Sequence, residues 1–214
     1  MYPSGLIRFR MSQSFWNERY GGNECVYGDA ANEFLVAMVT AMGDGCASRG
    51  RALDIGAGEG RNALFWAARG LDVLAVDQSE VGMRKAQELA QKRGLSLRTL
   101  AADLREYQGE PGAFDVVSSI FVHLPADLRA LVHRRVATWL KPGGVFILEA
   151  YGPEQLSRDT GGPKDAALLA PLSTIVGELA GLKIEHQAAL ERDVKEGKFH
   201  SGAADVVQVV AGKV

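Results

Sequence analysis

The sequence predicts an α/β fold: a doubly wound, mostly parallel sheet of seven strands with an N-terminal helical lead-in. Short apolar runs alternate with amphipathic stretches of helical period, the pattern of strand–helix–strand units. The first unit, residues 51–69, reads as strand, glycine-rich turn and helix. The chain has 214 residues, enough for one domain with a sizeable core. We expect a single domain over residues 15–214, preceded by a disordered extension, residues 1–14, whose first ten residues are dispensable.

Capping residues and a proline mark the ends of several predicted helices. Ser79 is a good N-cap for the helix that follows the second strand, and Gly94 ends that helix. Pro125 suits the start of a later helix. The predicted strands are 51–55, 71–77, 96–102, the one starting at 114, 145–150, 182–190 and 203–211. The predicted helices are 32–42, 62–69, 79–93, the one after Pro125, and 172–179.

Two segments lack a regular period. Residues 151–171 form a long loop that leaves the fifth strand on the ligand side of the sheet, and we interpret it as a substrate lid. Residues 191–202 are predicted to be a solvated, charged connection. The alternative for this connection is that Arg192 and His200 border an acceptor pocket.

The glycine-rich turn after the first strand is the main functional signal. Gly56, Gly58 and Gly60 alternate in the order G-x-G-x-G, and Asp54 precedes them. A turn without Cβ atoms lets a ligand lie against the backbone, and the following helix offers free N–H groups. A dinucleotide fingerprint would need its third glycine where Arg61 stands.

This motif resembles the first motif of class I methyltransferases that use S-adenosylmethionine. In the second half of the chain, the Lys141-Pro-Gly-Gly144 turn and a closing hairpin without a helix are also typical of that family. The resemblance covers essentially residues 15–211 and implies a seven-stranded sheet whose last strand is antiparallel. It implies S-adenosyl-L-methionine as cofactor and no metal.

The resemblance also implies a set of cofactor-binding residues. Asp77, at the end of the second strand, would accept hydrogen bonds from the ribose hydroxyls. Asp103 would accept from the adenine amino group, although a plain turn residue is the alternative. The remaining members of the set are Asp54, Gly56, Ala57, Gly58, Gly60, Gln78, Ala102, Leu104 and Ile120.

The aromatic lead-in permits two interpretations. Trp16, Tyr20 and Tyr27 can simply pack this segment onto the domain. Alternatively, the segment resembles the W-x-x-R-Y … Y-G segment of small bacterial tellurite-resistance and thiopurine methyltransferases, which folds over the cofactor. Arg19 would then meet the methionine carboxylate, which its planar fork suits, and Tyr27 would line the methyl-transfer pocket.

The exit of the fourth strand should face the same ligand, because ligands of open parallel sheets bind beyond the carboxyl ends of the strands. Phe121 and His123 are therefore candidates for contact with the acceptor. His123 is either a general base or a residue that holds the loop by a hydrogen bond. The motif typical of amino-base methylation is absent here, since the exit reads Ser119-Ile-Phe-Val122.

Composition bounds the remaining function classes. The net charge is −2, and basic runs with interleaved aromatics are absent, so a nucleic-acid partner is disfavoured. Cys25 and Cys46 lack nearby histidines, which disfavours zinc and fits a reducing cytoplasm. The apolar runs are strand-length and predict no membrane span.

We therefore expect a cytoplasmic methyltransferase that acts on a small molecule, such as a thiol or a chalcogen oxyanion. The alternatives are an NAD(P)-dependent oxidoreductase on a related fold and a non-catalytic S-adenosylmethionine-binding protein. The pattern leaves the oligomeric state open.

Overall fold

The computed structural model describes residues 12–43 and 50–214. Most of the predicted extension, and Cys46, lie outside the described residues. The first described helix begins at Gln13, two residues before the predicted domain boundary, with Ser12 as its N-cap. The Ser12 side chain accepts a hydrogen bond from the Phe15 N–H, which satisfies one of the free donors of the first turn.

The described helices and strands follow the predicted order. The helices are α1 (Gln13–Arg19), α2 (Glu33–Met42), α3 (Arg61–Ala68), α4 (Glu80–Lys92), α5 (Ala126–Trp139) and α6 (Leu172–Glu178). The strands are β1 (Arg51–Ile55), β2 (Asp72–Asp77), β3 (Arg98–Ala101), β4 (Phe114–Ile120), β5 (Leu140–Tyr151), β6 (Lys183–Glu196) and β7 (His200–Gly212). Among the described residues, none of the helices has the length and apolarity that crossing a bilayer requires.

The sheet has seven strands in the order β3-β2-β1-β4-β5-β7-β6. Strands β1 to β5 pair in parallel, whereas β7 runs antiparallel to both β5 and β6. The predicted sheet with an antiparallel last strand is confirmed.

Helices cover both faces of this sheet, and each face has its own apolar core. One core joins α2, α3 and α4 to the sheet through fully buried side chains such as Leu35, Trp66 and Ala86. The other joins α5 and α6 through Val136, Trp139 and Ile175. Trp139 is fully buried, as the helical spacing predicted.

The order of strands reverses at β1. Strand β1 pairs with β2 on one side and with β4 on the other, so the loops that leave β1 and β4 diverge. Such a switch point opens a crevice at the carboxyl ends of the strands, where ligands of this fold class bind.

The predicted charged connection at residues 191–202 is wrong. Strand β6 continues to Glu196 and β7 starts at His200, so only residues 197–199 remain as a turn. The charged side chains are compatible with a strand because they have partners on other elements: Arg192 donates to Glu149 of β5 and Glu196 accepts from Asn32 before α2, while Val194 is fully buried.

The segment that was interpreted as a lid packs on the sheet. It contains two short 3-10 helices, Pro153–Ser157 and Ala166–Leu168. Gln155 is fully buried, donates to the Gly161 carbonyl and accepts from the Asp205 N–H of β7. These bonds set the loop at the edge of the crevice.

Candidate active site

The glycine turn lies at the head of this crevice and needs each of its glycines. Gly56, Gly58 and Gly60 all have positive φ, at 62°, 56° and 85°. A Cβ on Gly56 would come within 2.5 Å of the Val122 side chain, and one on Gly60 within 2.6 Å of Ala86. The backbone therefore adopts a shape that residues with a Cβ rarely take.

Asp77 braces the turn from the end of β2. Its Oδ2 accepts the Gly58 N–H at 2.9 Å, and its Oδ1 accepts the Ser79 N–H at 2.8 Å. Burial raises the pKa of this carboxyl, and the two backbone hydrogen bonds oppose the rise. Each carboxylate oxygen still has a free lone pair for another donor.

Asp54, at the end of β1, lies deeper. Its Oδ1 accepts from the Ser118 hydroxyl at 2.6 Å, and that hydroxyl oxygen in turn accepts from the Trp66 indole at 3.0 Å. The second oxygen, Oδ2, is buried without a hydrogen-bond partner among the described residues. Burial raises the pKa of Asp54 to about 7, although the Ser118 bond lowers it in part.

We expect this shift to make stability depend on pH. A carboxyl whose pKa is raised on folding stabilises the protein below its unfolded value, near 4, and this contribution is lost as the pH rises through about 7. The free energy of unfolding of the wild type should fall relative to that of Asp54→Asn by up to about 1.4 kcal/mol per pH unit in this range. Urea unfolding of both proteins between pH 5 and 8 measures it; parallel curves would contradict the assignment.

The residues that follow β3 lie next to Asp77. The Ala102 N–H donates to the Asp77 carbonyl at 2.8 Å. Asp103 is exposed and accepts the Arg105 N–H through Oδ1 at 2.8 Å, so it forms the turn that the alternative interpretation described. This bond uses one carboxylate oxygen, and Leu104 is buried beside it. Gln78 and Ala57 are half-buried close to the same strand ends.

The lead-in segment, residues 12–31, covers the glycine turn. The Tyr20 hydroxyl lies 2.8 Å from where a Gly58 Cβ would stand, and the Tyr20 ring is buried. Lys85 of α4 donates to the Tyr20 and Gly22 carbonyls and pairs with Glu59 of the turn. The turn and α4 therefore hold the segment in place from below.

Arg19 is the last residue of α1 and lies beside the Phe199 ring. In the described part of the chain its guanidinium stacks on the Phe199 ring, 4.4 Å from the centroid, and on the Phe15 ring at 5.3 Å. A guanidinium that stacks on rings keeps its N–H groups, which lie in its own plane, available to bind an anion.

Beyond the turn lies a group of six rings that we call the aromatic cluster. Its members are Tyr27, Phe121, His123, Tyr151, Phe199 and His200. His200 touches three of the others, with centroid distances of 4.6 Å to Tyr27, 5.1 Å to Phe121 and 5.2 Å to Tyr151. The cluster joins the exits of β4 and β5 to the lead-in segment and to the start of β7.

The backbone is strained at the centre of this cluster. Phe121 has φ 54°, the only positive value at a non-glycine residue in the described ranges. Its N–H donates to the Glu149 carbonyl at 2.7 Å, which holds the residue in place. Strain of this kind persists where the surroundings enforce it, and it concentrates at functional sites.

His123 lies in the cluster, but its ring forms hydrogen bonds with the backbone. Nε2 accepts the Tyr151 N–H at 3.1 Å, and burial lowers the His123 pKa to about 4 against a hydrogen bond with the Phe121 backbone. The geometry matches the loop-holding alternative better than the general-base one.

A buried charged network supports the cluster from beneath. Glu149 of β5 is fully buried and accepts from Arg192 at 2.7 and 2.8 Å, from Asn32 at 2.6 Å and from Gln208 at 2.6 Å. Asn32 also donates to Glu196, which pairs with Arg61. The network ties α2, α3, β5, β6 and β7 together at the edge of the crevice.

Comparisons with known proteins agree with this geometry. Residues 52–144 match a family model described as a methyltransferase domain. The chain is 29% identical over 117 residues to the 2-heptyl-1-hydroxyquinolin-4(1H)-one methyltransferase of Mycobacteroides abscessus, a match of 53% of this chain and 52% of the relative. Its fold is similar to that of TehB from Haemophilus influenzae, with a TM-score of 0.71, 16% identity and coverage of 94% and 67%.

A similar fold is also found in magnesium protoporphyrin IX methyltransferase from Synechocystis PCC 6803, a structure with bound SAH. The TM-score is 0.66 at 19% identity, with coverage of 98% of this chain and 99% of that one. The family match covers residues 52–144, less than half of the chain, and the solved structures share its fold. The chain spans 52%, 33% and 58% of the first three curated relatives that it matches.

The structure brings three residues to the crevice that sequence reasoning did not assign to it. Tyr151 stands at the carboxyl end of β5, and the rule that selected the residues after β1 and β4 would also have selected it. Tyr20 had no individual role beyond packing, although the segment that contains it was expected to fold over the cofactor by resemblance; it covers the glycine turn. Glu149 carried no local signal, because the hydrogen-bond partners of its side chain come from three distant segments.

Proposed function

We propose that this chain is an S-adenosylmethionine-dependent methyltransferase that methylates a small-molecule acceptor. The observation that carries the proposal is the crevice: a glycine turn with three positive φ values, a strand-end acid bonded to that turn, and an aromatic cluster at the same edge of the sheet. The quinolone methyltransferase among its relatives has, by its name, a small molecule as substrate.

The donors and acceptors in the crevice fit the cofactor. Asp54 Oδ2, buried without a partner, suits the methionine ammonium. Asp77 has free lone pairs for the ribose hydroxyls, and the second oxygen of Asp103 suits the adenine amino group. Arg19 suits the methionine carboxylate. Ile120 and Leu104, both buried, provide apolar contact beside them.

When bound, S-adenosylmethionine supplies an electrophilic methyl group, which passes to a lone pair of the acceptor while the electrons of the broken bond stay on the cofactor sulfur. The chain contributes position, because holding the acceptor in line is worth about 7–11 kcal/mol of the barrier. The lead-in segment excludes water from the turn by covering it with Tyr20.

The described part of the cluster offers no basic group suited to take the acceptor's proton. Burial lowers the pKa of His123 to about 4, and that of His200 to about 3. A neutral imidazole with so low a pKa is a weak base. The acceptor must therefore lose its proton to solvent, which favours a thiol or another acidic nucleophile.

This arrangement predicts a pH profile set by the acceptor. The value of kcat/KM should rise with pH and level off above the pKa of the free acceptor thiol, because only the thiolate reacts. With two thiols of different pKa, the midpoint should move with the thiol. Initial rates between pH 5 and 9 measure it. A midpoint that stays fixed for both thiols would point to a base on the protein.

Calorimetric titration tests the function itself. We expect S-adenosylmethionine and S-adenosylhomocysteine to bind with one site per chain, and NAD to give no heat. Radiolabelled methyl transfer to a panel of thiols, tellurite, selenite and phenols then tests turnover. Binding of NAD in preference to S-adenosylmethionine would overturn the proposal, as would binding of the methyl donor with no transfer to any member of the panel.

A further inference from the structure

Two polar atoms in the aromatic cluster are buried without a hydrogen-bond partner among the described residues. They are the Tyr151 hydroxyl and the Nδ1 atom of His200, on rings whose centroids are 5.2 Å apart. Tyr151 is 1% exposed and His200 is 9% exposed. Leaving a buried polar atom unpaired costs about 1–3 kcal/mol, so each such atom needs an explanation.

We propose that these two atoms are the polar contacts of the acceptor site, and that the acceptor is a flat conjugated ring carrying a hydrogen-bonding atom beside its nucleophile. The proposal rests on the methyltransferase function proposed above. It adds Tyr151 and His200 to the site and narrows the class of acceptor.

The shape of the cluster favours a flat ring. His123 and Tyr151 stack with planes 14° apart at 5.4 Å, and Phe121 lies 4.5 Å from Tyr151 with planes 32° apart. An aromatic acceptor that joins this group gains ring contacts in addition to its buried area.

The charges around the cluster disfavour a hydrated inorganic oxyanion. Arg61 pairs with Glu196 and Arg192 with Glu149, so both cations are already neutralised. Arg19 is assigned to the cofactor carboxylate. His200 is neutral, since burial and its neighbours His123, Arg61 and Arg19 lower its pKa to about 3. An oxyanion would lose its water without gaining an unpaired cation.

One side of the aromatic cluster is closed by weak contacts between two loops. The hairpin turn, residues 197–199, meets the lead-in segment through the Lys198 N–H and the Val26 carbonyl at 3.2 Å, and through the Lys198–Glu24 ion pair at 2.5 Å. Both charged side chains are more than 70% exposed, and such pairs contribute little stability. Phe199 is 48% exposed, so it borders the solvent side of the cluster.

The test compares two acceptors that differ at one ring position. 2-Mercaptopyridine carries a ring nitrogen that can bond the Tyr151–His200 pair, and thiophenol does not. We expect Tyr151→Phe and His200→Phe each to lower the ratio of kcat/KM for mercaptopyridine over thiophenol roughly tenfold, because one hydrogen bond is lost. Using the ratio removes the intrinsic reactivity of each thiol. Tyr107→Phe, outside the cluster, is the matched control and should leave the ratio unchanged.

A binding measurement accompanies the rates. With S-adenosylhomocysteine present, 2-(methylthio)pyridine should bind the wild type more tightly than thioanisole, and both variants should lose this preference. Ratios that stay unchanged in both variants, or tellurite turned over in preference to both thiols, would overturn the inference and leave the proposed function standing. Failure of the protein to bind S-adenosylmethionine would remove the proposed function and this inference together.

Discussion

Asp77→Ala should weaken S-adenosylmethionine binding about 100-fold or more. The change removes a carboxylate that we assign to both ribose hydroxyls, and hydrogen bonds to a charged group contribute about 1.5–3 kcal/mol each. It also leaves the Gly58 and Ser79 N–H groups without their acceptor, so the glycine turn loses its brace. Calorimetric titration of the purified variant measures the affinity.

The control for this experiment stands on the same strand. Asp72 lies at the opposite end of β2, is exposed, and pairs with Arg98 at the surface. Asp72→Ala should bind the cofactor with wild-type affinity. A dissociation constant for Asp77→Ala within threefold of wild type, in a variant with an unchanged circular dichroism spectrum, would refute the ribose assignment.

Glu149→Gln should lower the free energy of unfolding by about 3 kcal/mol, the effect of breaking a buried ion pair by removing one partner. Glu149 is fully buried, and its two oxygens together accept four hydrogen bonds, from Arg192, Asn32 and Gln208. The neutral amide loses acceptor capacity and leaves the Arg192 charge only partly compensated by Glu196. Guanidinium unfolding curves of the variant and the wild type measure the loss.

Two further variants separate charge from packing. Glu191→Gln removes the charge of an exposed residue that precedes Arg192 in the chain and pairs with Arg158. This change should lower the free energy of unfolding by less than about 1 kcal/mol. The double variant Glu149→Gln/Arg192→Gln should lose less free energy of unfolding than the sum of the losses in the two single variants, because it holds no unpaired charge at this site. Strict additivity, or a cost for Glu149→Gln as small as that for Glu191→Gln, would show that the network is not coupled.

The fold and the glycine turn were predictable because their signals are local. The glycines and the cap at Ser79 are indicated by their own residue types, and Asp77 by its place at the end of an apolar run. Residues 102–104 were named on the family resemblance, and they lie beside Asp77 because parallel strands end at one edge of the sheet.

The part of the crevice around the aromatic cluster was harder to predict, because the residues that contact each other there are remote in sequence. The charges of residues 191–196 were interpreted as a solvated connection, although Arg192 and Glu196 find their partners on β5 and at the starts of α2 and α3. His123 had an ambiguous role until the Tyr151 N–H was seen to occupy its Nε2. The spacing of residue types along the sequence indicates neither of these contacts.

The contact between the lead-in segment and the hairpin turn joins residues 174 positions apart, Glu24 and Lys198. A pairing so distant along the chain forms late in folding, since its loop-closure entropy is met only after the intervening sheet exists. The matched methyltransferase segment, residues 52–144, contains Phe121 and His123 but none of the other four rings of the cluster. Exchange of residues 145–214 alone would thus replace three of the six rings while the glycine turn, Asp77 and Arg19 stayed the same.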